Sequence, residues 1–254
     1  MDLQLKQRSF LITGATRGIG RAIAETFAAE GANVALCARD AAAVQETVTA
    51  LEATGIKAFG QALDVADAAA LARFVDATAK HFGRLDGVVA NASALAGGHD
   101  EASFKAAYDV DLMHTRALAE SALPHLEKNP GASITAISSI SGSEDYGYGS
   151  VSYGTMKAAL FFYVKSLARH VASKGIRANV VSPGTTYFEG GFWDDVKKND
   201  PARFARNMAE NPMGRMATPQ EIANAVVFLA SGKASFVSGI NMVVDGTLTI
   251  RIPN

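Results

Sequence analysis

Tyr153 and Lys157 stand four residues apart in Tyr153-Gly-Thr-Met-Lys157, inside a stretch whose spacing predicts a helix over residues 151–173. In a helix that interval puts both side chains on one face. A free phenol has a pKa of about 10, too high for a base at neutral pH. A neighbouring ammonium favours the phenolate and lowers that value. The pair could then move a proton to or from a substrate oxygen. Upstream, Ser138 and Ser139 close a short apolar run that reads as a strand. The C-terminal ends of such strands are where open α/β sheets bind ligands, so either hydroxyl could hold the same oxygen. Tyr-x-x-x-Lys alone arises by chance in many helices, and its weight depends on what stands around it.

A second group gives it that weight. Thr13-Gly-Ala-Thr-Arg-Gly-Ile-Gly20 follows the first apolar run and opens the first helical one. Glycines at 14, 18 and 20 let the backbone turn tightly and approach a pyrophosphate, which the following helix N-terminus favours with free N–H groups and positive dipole. Gly14, Thr16, Arg17, Gly18, Ile19 and Gly20 are therefore candidate contacts to a dinucleotide. A carboxylate ending the second strand would bind the adenosine ribose of NAD. Here Ala38-Arg39 stands in that place, and Asp40 reads as the N-cap of the next helix. Arg17 opposes the helix dipole, which is understandable if an anion sits beside it. Arg17 and Arg39 together could grip a 2′-phosphate, so NADP is the expected cofactor.

Elements that alternate along the chain must position these groups. Val- and Ile-rich runs at 10–13, 33–37, 57–63, 87–90, 133–137, 177–181 and 241–244 read as buried parallel strands. Ala-rich segments at 20–30, 41–54, 68–82, 104–127, 151–173 and 219–230 carry helical spacing. The expectation is one α/β domain over residues 1–254, a Rossmann-type, doubly wound parallel sheet of about seven strands with helices on both faces. Residues 184–217 break the alternation, with Gly, Pro, Asn and Asp scattered among aromatics, and read as an irregular substrate lid. Tyr146, Tyr148, Phe188, Phe192 and Trp193 would wall a substrate pocket, or the lid rings would close a small core of their own.

The loop spacing Gly-x-x-x-Gly-x-Gly, with Ala90-Asn91-Ala-Ser93, Ser139, Tyr153-x-x-x-Lys157 and Ser182-Pro183-Gly184, resembles the classical short-chain dehydrogenase/reductase family along nearly the whole chain. The resemblance implies a hydride transfer between nicotinamide and a carbonyl or secondary alcohol. It selects Ser139 over Ser138 and makes Tyr153 the general acid/base. Lys157 would also reach the nicotinamide ribose. It places Asp64 and Val65 near the adenine, Asn91 at the end of strand four, and Pro183, Gly184 and Thr186 beside the nicotinamide. Homotetramers are common in the family, and Phe161-Phe162-Tyr163 could serve such packing or be buried within the subunit. Three positions depart from the pattern. Asp111 stands where the family has an Asn whose backbone carbonyl helps hold a relay water. Ser93 replaces a glycine, and Val244-Asp-Gly-Thr247 replaces Val-Asp-Gly-Gly. Asp111 is thus a fourth candidate in the proton relay.

Other readings rank lower. A non-catalytic NADP-binding regulator would not need Ser139, Tyr153 and Lys157 together. A carrier-bound β-ketoacyl substrate would call for basic docking residues; Lys174 is one, but Pro130 occupies another such place. Dehydratases and epimerases of this kind usually have longer C-terminal regions, and eight residues follow Gly246.

Composition sets further bounds. Twenty-four basic against 25 acidic residues give a net charge of -1, and no basic stripe suggests nucleic acid. No apolar run reaches the roughly 18 residues of a membrane helix, and residues 1–9 lack a signal-peptide layout. The single cysteine, Cys37, fits a reducing compartment, so a cytoplasmic location is expected. The five histidines show no ligand pairing, and no metal is expected.

Overall fold

A computed structural model describes residues 2–250; Met1, residues 251–254 and the side chain of Tyr148, expected above in the substrate wall, lie outside the described residues. Seven parallel strands form one sheet: β1 (Ser9–Thr13), β2 (Asn33–Ala38), β3 (Ala58–Ala62), β4 (Gly87–Ala90), β5 (Ser133–Ile137), β6 (Arg177–Pro183) and β7 (Asn241–Val244). Their order is β3-β2-β1-β4-β5-β6-β7, so the winding reverses between β1 and β4. Strands β1, β4, β5 and β6 are buried along their whole length. That explains why they read as continuous apolar runs rather than alternating ones.

Helices α1 (Gly18–Ala29), α2 (Ala41–Glu52) and α9 (Pro219–Ala230) cover one face through Ile23, Phe27, Val48, Ile222 and Val226. Helices α3 (Ala68–Phe82), α5 (His114–Leu126) and α6 (Val151–Val171) cover the other through Leu71, Phe74, Leu118 and Val164. This is the doubly wound arrangement, with its ligand crevice at the strand C-termini beside the reversal point.

Two expected elements differ. The helix predicted over 104–127 is three pieces: α4 (Glu101–Ala107), a π-helical turn (Tyr108–Met113) and α5. Apolar spacing does not reveal one extra residue in a turn, and such bulges gather at functional sites. The segment 184–217 is not irregular throughout. It contains α7 (Phe192–Asn199) and α8 (Pro201–Glu210). Its apparent breakers are caps: Gly191 precedes α7, Asp200 accepts from the Arg203 N–H, and Pro201 takes the first turn of α8.

Candidate functional site

The glycine loop is laced to the end of β4. Gly14 has φ +65°, and an added Cβ would come within 3.0 Å of Ala92 Cα. Asn91 Nδ2 donates to the Thr13 and Gly14 carbonyls at 2.9 and 3.0 Å. A Cβ on Gly20 would collide with that amide and with the Gly14 carbonyl. Asn91 and Gly20 thus fix the loop together. Arg17, at the N-cap of α1, has extended backbone and makes no side-chain cap. The first-turn N–H groups are left to a ligand or to water. This bare backbone at a helix N-terminus fits the diphosphate of a dinucleotide. A second feature agrees: Thr185 Oγ1, just beyond Pro183-Gly184, is buried with no hydrogen-bond partner among the described residues. The 184–217 segment touches the glycine loop twice. Arg17 Nη1 donates to the Gly190 carbonyl at 3.0 Å, and the Phe188 ring lies against Gly18.

At the adenosine end, Ala38 closes β2 and Arg39 is exposed. Asp40 spends its carboxylate capping α2, accepting from Ala42 and Ala43 N–H at 2.8 and 3.1 Å. Asp64 is exposed beyond β3, while Val65 beside it is buried in the core. Thr16, Gly18 and Ile19 are partly exposed. Gly184 leaves room for Asp245, whose Cβ would be 2.7 Å from an added methyl. Thr186 is buried and donates to the Gly184 carbonyl at 3.2 Å.

Across the crevice, Lys157 is buried at 2% exposure. Its ammonium donates to the Ile137 carbonyl at 2.8 Å and pairs with Asp111 Oδ1 at 3.0 Å. It also lies 5.5 Å from the Tyr153 ring centroid. Burial, the largest influence, pulls the lysine down, but Asp111 and Tyr153 outweigh it and the net direction is up. The Asp111 contact is a charge pair rather than a well-directed hydrogen bond, and Oδ1 has no other polar partner among the described residues. Asp111 Oδ2 accepts from the Ala94 N–H at 3.3 Å. The Asp111 carbonyl, expected to face a relay water, accepts the Thr115 hydroxyl at 2.9 Å.

The two serines separate cleanly. Ser138 is buried and donates to the Lys157 carbonyl at 2.8 Å, tying β5 to α6. Ser139 is partly exposed and caps the short turn Ile140–Gly142, accepting from Ser141 N–H at 3.1 Å. That turn docks tightly on α6. An added Cβ on Gly154 would meet the Ser141 carbonyl at 2.7 Å, and one on Gly142 would meet the Lys157 backbone at 2.7 Å. Two glycines therefore let the Ser139 turn approach the helix that carries Tyr153 and Lys157.

The 184–217 segment is held from within. Asp194, nearly buried, accepts from Tyr187 Oη at 2.9 Å, the Gly190 N–H at 2.9 Å and Lys198 Nζ at 2.6 Å. Those contacts, Lys198 first, hold its carboxyl down at about 2. Arg203 stacks on Phe192 and Trp193, and Lys197 on Tyr187 and Phe204. Lid aromatics thus make a small cluster of their own, while Phe192 and Tyr146 stay 48% exposed. Sequence reasoning passed over Asp194; its spacing to Lys198, one helical turn, was the available signal. It also passed over Thr13, although that residue begins the glycine loop.

No group of three or more His, Cys, Asp or Glu placed to hold a metal occurs among the described residues, and none of their helices is long and apolar enough to cross a membrane.

Comparison with known proteins agrees with this architecture. A family model described as enoyl-(acyl carrier protein) reductase matches residues 14–249. Isoepoxydon dehydrogenase of Penicillium expansum is 39% identical over 249 residues, covering 97% of this chain and 96% of the relative. A solved 7α-hydroxysteroid dehydrogenase, complexed with NADH and 7-oxo glycochenodeoxycholic acid, superposes with a TM-score of 0.90 at 31% identity, covering 97% and 96% of the two chains. L-sorbose reductase of Gluconobacter frateurii, complexed with NADPH and L-sorbose, gives 0.91 at 28% identity, covering 99% and 100%. The chain belongs to the short-chain dehydrogenase/reductase family of oxidoreductases.

Proposed function

We propose that this protein is an NADP(H)-dependent oxidoreductase that interconverts a ketone and a secondary alcohol, with Tyr153 as general acid/base. The observation that carries the reading is the buried Lys157 ammonium, paired with Asp111 at 3.0 Å and lying 5.5 Å from the Tyr153 ring centroid. A fixed positive charge beside a phenol favours the phenolate, which is what proton exchange with an alkoxide or alcohol needs. Bound NADP(H) supplies or accepts the hydride. Tyr153 gives its proton to the carbonyl oxygen in reduction and takes it from the alcohol in oxidation. Ser139 holds that oxygen, since Ser138 is already engaged. Lys157 donates one N–H to the Ile137 carbonyl and keeps its charge against Asp111. An ammonium has three N–H groups, so one would remain for the nicotinamide ribose. Asp111 keeps Lys157 charged and belongs to the proton relay.

Gly14, Thr16, Arg17, Gly18, Ile19 and Gly20 would hold the diphosphate, with Arg17 and Arg39 on the 2′-phosphate. Asp64, Val65 and Asn91 would border the adenosine side, and Pro183, Gly184 and Thr186 the nicotinamide side. Because Asp40 is committed to its helix cap, no free carboxylate opposes the phosphate there. The ligands named for the two solved neighbours, an oxo-steroid and a ketose, are ketones, and a small ketone is the substrate class we assign. Carrier-bound substrates are disfavoured because Lys174 is paired with Glu127 at 2.6 Å. The lid over 184–217 would close on the substrate. Phe162, 82% exposed on α6 while Phe161 and Tyr163 pack on the core, would face another subunit of a homotetramer.

The test is nicotinamide absorbance across a panel of cyclic and open-chain ketones with each cofactor, for wild type and Tyr153→Phe. Turnover with NADPH that Tyr153→Phe abolishes is expected. Near-normal turnover by Tyr153→Phe would overturn the assignment.

A further inference from the structure

The polar network behind Lys157 extends one residue further than the relay described above. His114 begins α5, directly after the π-helical turn that carries Asp111, and is 1% exposed. Its Nδ1 lies 2.9 Å from the Val110 carbonyl and its Nε2 lies 3.0 Å from Thr13 Oγ1.

Bookkeeping of donors settles the tautomer. A carbonyl only accepts, so Nδ1 carries the proton and Nε2 is an acceptor. Thr13 Oγ1 accepts two N–H groups, Asn91 at 3.0 Å and Ala92 at 3.2 Å, which fills both lone pairs. Its own proton then goes to His114 Nε2 at 3.0 Å, the Val89 carbonyl being farther at 3.4 Å. A neutral imidazole suits this role, and burial holds His114 down at about 4.

These bonds close a ring. It runs from Thr13 through Ala92 to Ala94, from the Ala94 N–H to Asp111 Oδ2, back along the chain to Val110, and through His114 to Thr13. Thr13 is the first residue of the glycine loop, and Asp111 Oδ1 meets Lys157. The ring therefore joins the cofactor loop, the exit of β4 and the carboxylate behind the ammonium. An ordinary α-helical turn would bond the Val110 carbonyl to the His114 N–H; here that N–H bonds the Asp109 carbonyl, and the histidine side chain meets Val110.

We infer that His114 is a positioning residue: by bridging Val110 and Thr13 it sets where the Asp111 carboxylate sits against Lys157, and so acts on Tyr153 without touching substrate. This rests on the acid/base reading of Tyr153. The titratable groups facing the network are Asp111 and Lys157 toward His114, and Asp111 and Tyr153 toward Lys157. If Asp111 drifts, Lys157 loses the partner that offsets its burial, and the phenol loses part of its cation. The Tyr153 limb of the pH–rate profile then moves to higher pH.

His114→Phe keeps the volume and deletes both bonds. His114→Asn is shorter and retains a donor for the Val110 carbonyl. The experiment measures kcat and KM against pH for wild type, both variants, Asp111→Asn and the His114→Phe/Asp111→Asn double variant. Phenol titration of Tyr153 by carbon-13 NMR of tyrosine-labelled enzyme, assigned through Tyr153→Phe, runs alongside. For His114→Phe the expected result is a kcat lower by about 10- to 100-fold, a KM within about twofold, and a Tyr153 titration displaced upward. The double variant should be no slower than the worse single one. His114→Asn should show the same displacement, smaller, and carries the test if His114→Phe does not fold. Multiplicative losses in the double variant, with the Tyr153 titration unmoved in the single variants, would overturn the inference and leave His114 as packing. Activity surviving in Tyr153→Phe would instead remove the acid/base reading, and the NMR titration would still report whether His114 moves the phenol.

Discussion

The two banks of the crevice are built differently. On one, Lys157, Asp111, His114 and Thr13 are all at or below 2% exposure and hold one another by short polar contacts. On the other, Arg17, Arg39 and Asp64 stand in solvent. Among the described residues the Arg17 side chain is engaged only by the Gly190 carbonyl, and Arg39 has no partner. A buried charge pair is costly to break because the surviving charge stays desolvated. A solvated guanidinium is cheap to replace and is screened by salt. The proton machinery should therefore tolerate little change, while cofactor choice should be adjustable without loss of fold.

The sharpest way to break that contrast is on the buried bank. Tyr153→Phe should lower turnover by at least about 100-fold while NADPH still binds, as followed by cofactor fluorescence. Next comes Asp111. Asp111→Leu leaves the Lys157 ammonium buried and unpaired, at a cost of about 3–5 kcal/mol in stability, visible in a denaturant midpoint. Asp111→Asn should stay active with a displaced pH–rate profile; curves superimposable on wild type would remove Asp111 from the relay. The sign of the linkage follows from the raised lysine. Its stabilising contribution is complete below the ordinary lysine range and is lost as pH rises through the raised folded value. Asp111→Asn should thus unfold at lower alkaline pH than wild type. On the exposed bank, Ala38→Asp with Arg39→Leu should shift preference from NADPH toward NADH by about 10- to 100-fold with an unchanged unfolding midpoint. Rising salt should erode the wild-type preference. Equal affinities for the two cofactors at low salt would contradict the assignment of Arg17 and Arg39.

The same contrast explains what was legible in the sequence. Strands stood out because β1, β4, β5 and β6 are buried along their whole length and so carry mostly apolar residues without alternation. The glycine loop stood out because backbone approach admits few residue types; Gly14 and Gly20 have no room for a Cβ. The Asp40 cap was readable from its position before a helical run, and the cap is present. The π-helical turn was not readable, because one inserted residue changes register without changing composition. His114 and Thr13 were passed over for a related reason. Their partnership spans 101 residues, and a long-range pair of ordinary residues leaves no local pattern. The resemblance favoured Ser139 over Ser138 from spacing alone; what the fold adds is that Ser138 is spent on the Lys157 carbonyl. Lid helices were hidden because α7 and α8 are short and their caps use the residue types that mark loops.

The smallest effect, and the finest probe of the exposed bank, concerns Phe188. Its ring is packed between Gly18 and Gly191; a Cβ at either glycine would run into it. Gly18 is the first residue of α1, so the ring stands beside the N–H groups offered to the diphosphate. On the proposed placement of the diphosphate, the ring would have to turn aside for the cofactor to enter. Only part of it is buried, so detaching it costs roughly 1 kcal/mol. Phe188→Ala should then bind NADPH faster by about fivefold, with little change in dissociation, as read by stopped-flow fluorescence. Loosening the lid elsewhere should act in the same direction. Asp194→Asn weakens the clasp that holds Tyr187, Gly190 and Lys198. That carboxyl is depressed to about 2. Its contribution is present above the ordinary carboxylate range and fades as pH falls toward about 2, so the clasp is fully charged wherever the enzyme would be assayed. Two outcomes separate the roles of the ring. Faster association in both variants makes Phe188 a gate on the cradle. Unchanged association with faster dissociation in Phe188→Ala makes it a wall against bound cofactor, and would reverse the assignment.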